Sequence, residues 1–337
     1  MSVVVLEPGL QTTVQDAGRF GLRGVGVVPG GAADAFALRA ANALVGNAPG
    51  EAALEMTLTG ASLRFEQDVL VALCGADMDA RAGSGPPLPR WRPVLLRSGT
   101  ALRIRAARTG VRAYLAVAGG FAVPAVLGSR SAHVRAQLPG FAGRALRAGD
   151  RLPLGAPSAA AAALHARLAA GAAREAPFAA APWALAPGAR PRYAEHPAVR
   201  AVRGREAERF EAVSLEAFFA APYKLTPQSD RMGCRLEGPR LALRESLEMR
   251  SEAAVPGTVQ VPPHGQPIAL LADAQTTGGY PRIAHIAAVD LPLLAQTRPG
   301  ATVRFVEITH AEAQALYIRQ ELELRRIAAA VRMRANG

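Results

Sequence analysis

Short apolar runs, each closed within a few residues by glycine, proline or aspartate, restrict the fold of this chain more than any other feature. Such runs fall at 3–6, 62–65, 69–74, 94–96, 101–104 and 113–118. They are too short for helices and sit between turn residues, so the first part of the chain is predicted to be mainly β. One helix interrupts it over 33–45, entered after Gly30-Gly31, with Phe36, Ala40 and Leu44 at helical spacing and Gly46 as a C-terminal cap. From 155 to 191 the composition shifts to alanine and proline, which reads as a connector even though 159–173 has helical composition. Strand-like runs return at 198–202, 236–237, 258–261, 268–272, 283–287 and 302–305, with a short helix over 214–220. Thr309 and Glu312 then form a capping box ahead of a helical pattern that continues to about Arg334. The predicted organisation is an N-terminal β lobe over 1–154, a connector over 155–195, a second β lobe over 196–308 and a C-terminal helix over 309–337. That helix is expected to cover the second lobe or to dock a partner through Arg325, Arg326, Arg332 and Arg334.

With 337 residues, half of them hydrophobic, the chain can bury one large core or two medium ones. The formal net charge of +12 invites a nucleic-acid reading, but the basic residues are scattered and nearly all arginine, so no binding stripe is visible. Lys224, the only lysine, follows Ala-Pro-Tyr and has no glycine loop before it, which excludes a P-loop. No dinucleotide glycine fingerprint, hydrolase elbow or zincin helix is encoded, and the six histidines lack ligand spacing. Two distant cysteines suggest neither a disulfide framework nor a zinc site. The opening residues hold no basic-then-apolar leader, and no run nears the roughly 18 apolar residues of a membrane helix. A cytoplasmic protein without nucleic-acid or membrane partners is the expectation.

Candidate chemistry concentrates between Ser251 and Asp290. There Gly278 and Gly279 allow close backbone approach, while Asp273, Gln275, Thr276, Thr277, Tyr280 and Arg282 bring polar groups together. Asp230-Arg231 and the stretch Gln15-Asp16-Ala17-Gly18-Arg19 are similarly rich. Each has a bland alternative. Gly278 to Pro281 also suits a tight turn, Asp273 a turn cap, Arg231 and Arg282 ion pairs with Glu237 or Asp290, and Gln15 satisfaction of buried backbone. Asn42 is expected to be a satisfied core amide.

Several colinear motifs resemble the biotin-dependent carboxyltransferase family: GLQTTVQDAGRFGLRGVGVVPGGAADAF, ALEMTLTGASLRF, AYLAVAGGFAVPAVLGSRS, SDRMGCRLEGP and PGTVQVPPHGQPIALLADAQTTGGYPRIA. The resemblance implies a cyclophilin-like β-barrel architecture and a sister subunit of related fold. It implies, as activity, the ATP-dependent opening of 5-oxoproline to glutamate together with A and B subunits, with magnesium and ATP bound somewhere in the complex. It leaves two alternatives: carboxyl transfer from biotin, carried on another protein, to urea or a related small amide; and non-enzymatic antagonism of a kinase-inhibitor sister protein. For a lactam, Arg231 and Arg282 are candidate anion clamps. Asp273 or Asp230 would act on water or hold magnesium, and Gln275 joins them as a catalytic candidate. Gly278 and Gly279 would face an oxyanion, and Tyr280 would pack on or donate to the substrate. Thr276, Thr277, Gln15, Asp16 and Arg19 complete the expected binding set, and no resident metal is expected in this chain. Three places depart from the family pattern: Leu138-Pro139 stiffens a usually glycine-rich loop, Ala253 stands for a glycine, and His264 replaces an acidic or amide residue.

Overall fold

The computed structural model describes residues 2–171, 173 and 175–336. The chain divides into two compact units. The first comprises 1–18, 34–191 and 322–337, and the second 19–33 and 192–321.

In the first unit, strands β1 (Ser2–Glu7), β2 (Gln11–Gln15), β3 (Ala53–Thr57), β4 (Ser62–Phe65), β5 (Val69–Ala82), β6 (Val94–Leu96), β7 (Ala101–Val117), β8 (Arg151–Pro153) and β9 (Phe178–Ala180) form one nine-stranded sheet. The long antiparallel pair of β5 and β7 is its spine, with Leu73 opposite Leu115 and Cys74 opposite Tyr114. Val3, Leu54, Leu63, Phe65, Val71, Leu115 and Phe121 lie in one continuous buried cluster, which supplies most of this unit's hydrophobic stabilisation. Helix α1 (Ala35–Leu44) packs on β5 and β7. Its N-cap Asp34 accepts from the Ala37 N–H at 2.9 Å, and Gly46 lies just past the end in the left-handed region, φ 73°. Asn42 is satisfied as expected, donating to the Glu51 carbonyl at 2.7 Å and accepting from Asn47.

The stretch expected to be a connector is instead largely part of this first unit. It forms α2 (Ala159–Ala170), and its β9 pairs with β6 at the sheet edge. Alanine and proline gave it the look of a linker, but Ala161, Leu164 and Ala181 are buried. The expected helix reached 173, of which Ala172 lies outside the described residues.

The second unit is a closed barrel built from β10 (Ala198–Arg203), β11 (Pro222–Leu225), β12 (Gly233–Glu237), β14 (Thr258–Gln260), β15 (Ile268–Leu270), β17 (Arg282–Ile286) and β18 (Thr302–Glu307). Parallel pairing of β10 with β18 closes it, leaving no open edge. A two-residue ladder, β13 (Glu252–Ala253) with β16 (Thr277–Gly278), stands apart from the barrel sheet. Helix α3 (Ala212–Ala220) brings Phe218 into the barrel cluster, where it stacks on Phe305 at 4.5 Å, and α4 (Leu291–Ala295) adds Leu294.

Helix α5 (His310–Asn336) begins with the predicted capping box. Glu312 accepts from the Thr309 N–H at 2.7 Å, and Thr309 Oγ1 accepts from the Glu312 N–H at 3.2 Å. Its buried residues, Leu324, Ile327, Val331 and Ala335, fall in the part that belongs to the first unit, whereas 310–321 belongs to the barrel unit, so the helix is divided between the two. Both cysteines are buried and free. No helix among the described residues is long and apolar enough to cross a membrane.

Candidate functional site

The hairpin between β11 and β12 turns on Asp230, whose exposed side chain accepts from the Met232 and Gly233 N–H groups at 2.7 and 3.2 Å. This is local turn chemistry, so Asp230 stabilises the bend. The bend sends the next side chain inward. Arg231 is buried and donates from Nε and Nη2 to the two carboxylate oxygens of Asp273, at 2.8 and 3.0 Å. Backbone pairing extends β12 against the segment after β15, with the Asp273 N–H donating to the Arg231 carbonyl at 2.9 Å. The ion pair is therefore a cross-strand pair in the fork geometry that suits guanidinium to carboxylate.

Residues 19–33 dock on this ledge within the same unit. Gly30 N–H donates to the Ala272 carbonyl at 3.2 Å, and Arg231 Nη2 donates to the Gly31 carbonyl at 2.5 Å. Gly30 and Gly31 both lie in the left-handed region, φ 62° and 85°, which a side chain would resist. Arg19 is fully buried, and its N–H donates to the Pro29 carbonyl at 2.6 Å, closing the segment on itself. A methyl added at Gly30 would stand 3.6 Å from Arg19 Nη1 and 3.7 Å from Asp273 Oδ1, so both side chains flank one point. Three of the expected site residues, Arg19, Arg231 and Asp273, thus come to one neighbourhood: the Arg231–Asp273 pair, with the Arg19 guanidinium on the other side of the Gly30 position.

The remaining expected residues fall elsewhere. Arg282 does not pair with Glu237 or Asp290. It meets Glu206 through Nε and Nη2 at 2.6 and 2.5 Å, and Glu252 at 2.7 Å. The hydrogen bonds it donates to Glu206 hold its guanidinium pKa above the ordinary value. Burial pushes the Glu206 carboxyl up, but the bonds and charge of Arg282 together hold it below its ordinary value. Two carboxylates already occupy this arginine, which makes it a clamp on the β13–β16 flap more than a receptor for a third anion. Asp290 instead pairs with Arg200 at 2.6 Å.

In the flap, the Thr276 carbonyl accepts from the Ala254 N–H at 2.9 Å, Gln275 and Thr276 are half-buried, and Thr277 is exposed. Tyr280 is 45% exposed. A methyl on Gly278 would come within 2.4 Å of Gln260 Nε2, so this glycine exists for contact with the buried Gln260 amide. Gly279 has its closest such contact at the Met249 carbonyl, 3.3 Å.

Gln15 and Asp16 belong to the first unit and serve its structure. Gln15 donates to Thr13 Oγ1 and the Ala132 carbonyl at 3.1 and 3.0 Å. Asp16 accepts from Gly18 N–H, Ser129 Oγ, Ser131 Oγ and Arg130 N–H at 2.8, 2.6, 2.5 and 2.5 Å, which fills its carboxylate. Sequence reading missed Glu206, which has no motif around it, and passed over Glu252 and Gln260, although both lie in the stretch between Ser251 and Asp290. It used Gly30-Gly31 only as a helix entry, although adjacent glycines before a strand-poor stretch could have flagged a close approach.

The donor set does not fit a magnesium ion on Asp273, because both its oxygens face Arg231. Among the described residues no group of three or more His, Cys, Asp or Glu side chains stands together as a metal site.

The chain matches the family described as "Carboxyltransferase domain, subdomain A and B" over residues 25–307. It is 40% identical over 309 residues to the C subunit of 5-oxoprolinase from Escherichia coli, covering 92% of each chain. To the protein of the same name from Haemophilus influenzae it is 38% identical, covering 96% of each. The K. lactis urea amidolyase structure superposes with a TM-score of 0.86 at 27% identity, covering 97% of this chain. The chain spans only 20% of that larger protein.

Proposed function

Since the chain belongs to the carboxyltransferase domain family, subdomains A and B, we propose that it is the C subunit of an ATP-dependent 5-oxoprolinase, opening 5-oxoproline to glutamate together with A and B subunits. The observation that carries this reading is the near end-to-end match, at 40% identity, to a relative of that name. Matches to urea amidolyases are weaker, at 31% and 27%, and take up only 17% and 18% of those proteins.

The site supports a substrate that is an anion. Arg19 and Arg231 bring two guanidinium groups into a buried setting, where a charge acts over short range with little screening. Asp273 fixes the plane of Arg231 by two bonds, and the Gly31 carbonyl fixes its edge. We read Asp273 as a positioning residue, and Arg19 and Arg231 as the source of the field that holds a carboxylate. The β13–β16 flap, fastened by Arg282 to Glu206, places Thr276, Thr277 and Tyr280 on a tethered element. A lactam is a poor electrophile, so its opening calls on ATP; nucleotide and magnesium are assigned to the complex as a whole.

The test is glutamate release from 5-oxoproline, with and without ATP, by this chain co-expressed with its sister subunits and by a complex lacking it. Activity requiring both ATP and this chain is expected. Full activity without the chain sinks the proposal. Urea carboxyl transfer is favoured by the weaker likeness to urea amidolyase sequences and to the K. lactis structure, and transfer of carboxyl from a biotinylated carrier to urea by the assembled complex would select it.

A further inference from the structure

The first unit contains a cavity of about 670 Å³, away from the Arg231–Asp273 ledge in chain and unit. Leu164 and Leu168 of α2, Trp183, and Ala330 and Met333 of α5 give it an apolar wall, and Arg167 and Arg334 add two cations. No carboxylate stands among these lining residues. A second cavity of about 310 Å³ shares Trp183, Ala330 and Arg334 and continues along α5; the arginine it adds, Arg326, lies 3.8 Å from Glu323.

Both cations are held in place before anything binds. The Arg334 guanidinium lies over the Trp183 ring, 5.4 Å from its centroid, and a cation there is attracted by the ring face. Arg167 Nη1 donates to the Arg334 carbonyl at 2.6 Å, capping the end of α5. Neither makes an ion pair with a carboxylate among the described residues. Concave apolar walls with a few fixed polar groups are the usual form of a small-molecule site. A cavity of this size would dwarf a five-membered lactam, whereas a longer apolar body would fill it.

We propose that the cavity between α2, Trp183 and the end of α5 is a binding site for an amphipathic monoanion, a carboxylate carried on a medium-length acyl or aryl body, distinct from the site assigned to the lactam. The carboxylate meets Arg167 and Arg334, and the body lies on Leu164, Leu168, Trp183 and Met333. This assignment does not depend on which reaction the barrel unit serves.

The full chain is titrated with decanoate below its micelle threshold, following tryptophan emission and heat. One of only two tryptophans is Trp183; the other, Trp91, is 3% exposed and packs on Phe36. A saturable change in emission that disappears in Trp183→Phe is expected. Decanol, with the same body and no charge, should bind at least about tenfold more weakly, and so should decanoate to the paired variant Arg167→Gln, Arg334→Gln. The charge-keeping pair Arg167→Lys, Arg334→Lys should retain most of the affinity and checks that the surface substitutions leave the fold intact. No saturable binding by either readout, equal affinity for decanol, or undiminished affinity in the glutamine pair would each overturn the proposal.

Discussion

Removing the carboxylate from Asp273 tests whether this residue positions Arg231 or reacts. In Asp273→Ala two charge-assisted bonds of 2.8 and 3.0 Å are lost between side chains that are both more than nine-tenths buried. Arg231 keeps its bond to the Gly31 carbonyl but becomes a buried cation without its counter-ion. Breaking a buried pair from one side costs about 3–5 kcal/mol. A similar loss is expected for Arg231→Ala, which takes both fork bonds from the carboxylate. The double variant removes both members of the pair, so its loss should fall short of the sum of the singles by about 2–3 kcal/mol. Two units make a single unfolding transition a poor readout. Hydrogen exchange resolves the barrel directly, because the amides of β12 and β15 report its opening free energy. Those strands should lose protection in each single variant and recover part of it in the double. Asp273→Asn keeps shape but not charge and should lie between. If Asp273→Asn left barrel protection unchanged while abolishing glutamate release in the complex, Asp273 would be a reacting group and the positioning argument would be wrong.

Gly278→Ala should destabilise the flap by roughly 1–3 kcal/mol through overpacking, since the new methyl would lie 2.4 Å from Gln260 Nε2; pairing it with Gln260→Ala should restore much of the lost exchange protection in β14, and no rescue would mean the strain lies elsewhere. Burial holds the His285 pKa below its ordinary value. A depressed histidine contributes stability above the unfolded pKa, about 6.5, and loses it as pH falls through the folded value. Barrel stability should therefore drop on acidification below about pH 6.5, with a flatter profile in His285→Gln; identical profiles would exclude His285 as the source. Asp16→Ala strips four acceptor bonds and should cost the first unit about 2–4 kcal/mol, read by tryptophan fluorescence in urea because Trp91 and Trp183 both lie in that unit. An unchanged midpoint would show that Asp16 is not structural.

The strands most legible in the sequence are those that are short and apolar throughout, such as β4 and β6. β5 and β7 were visible only at their apolar ends. Over the middle of β7 the residues alternate or turn to arginine because that stretch is exposed, so composition marked a break where the backbone continues. β2 was hidden for the opposite reason. Gln11 to Gln15 look like a polar loop, yet Thr12, Thr13 and Gln15 are buried; Thr12 donates to the Pro8 carbonyl and the Gln15 Nε2 group to Thr13 Oγ1 and the Ala132 carbonyl, while Gln15 Oε1 has no partner among the described residues. Within the site, Arg231 and Asp273 were each singled out, but their pairing across 42 positions is set by the β12–β15 register, which no local pattern encodes. The true partners of Arg282 likewise depend on where the 206 and 252 segments fold, and the sequence offered Glu237 and Asp290 with equal plausibility.

The arginine surplus, which at first suggests a nucleic-acid surface, takes on a different meaning once its partners are known. Arg144 with Asp150, Arg200 with Asp290, Arg231 with Asp273 and Arg282 with Glu206 are all two-pronged contacts, and the last three join segments between 42 and 90 positions apart. A lysine would keep the charge but lose the fork, so in a chain with a single lysine these arginines act as cross-links whose geometry is as important as their sign. Guanidinium stays charged across the whole accessible pH range, so acid weakens such cross-links only by protonating their carboxylates. Where carboxylates run short, as at Arg167 and Arg334, the same residue type is left facing a cavity. Two of the chain's cations then stand at that cavity wall, and anion binding there should weaken with ionic strength while the buried Arg231–Asp273 pair, shielded from solvent, does not.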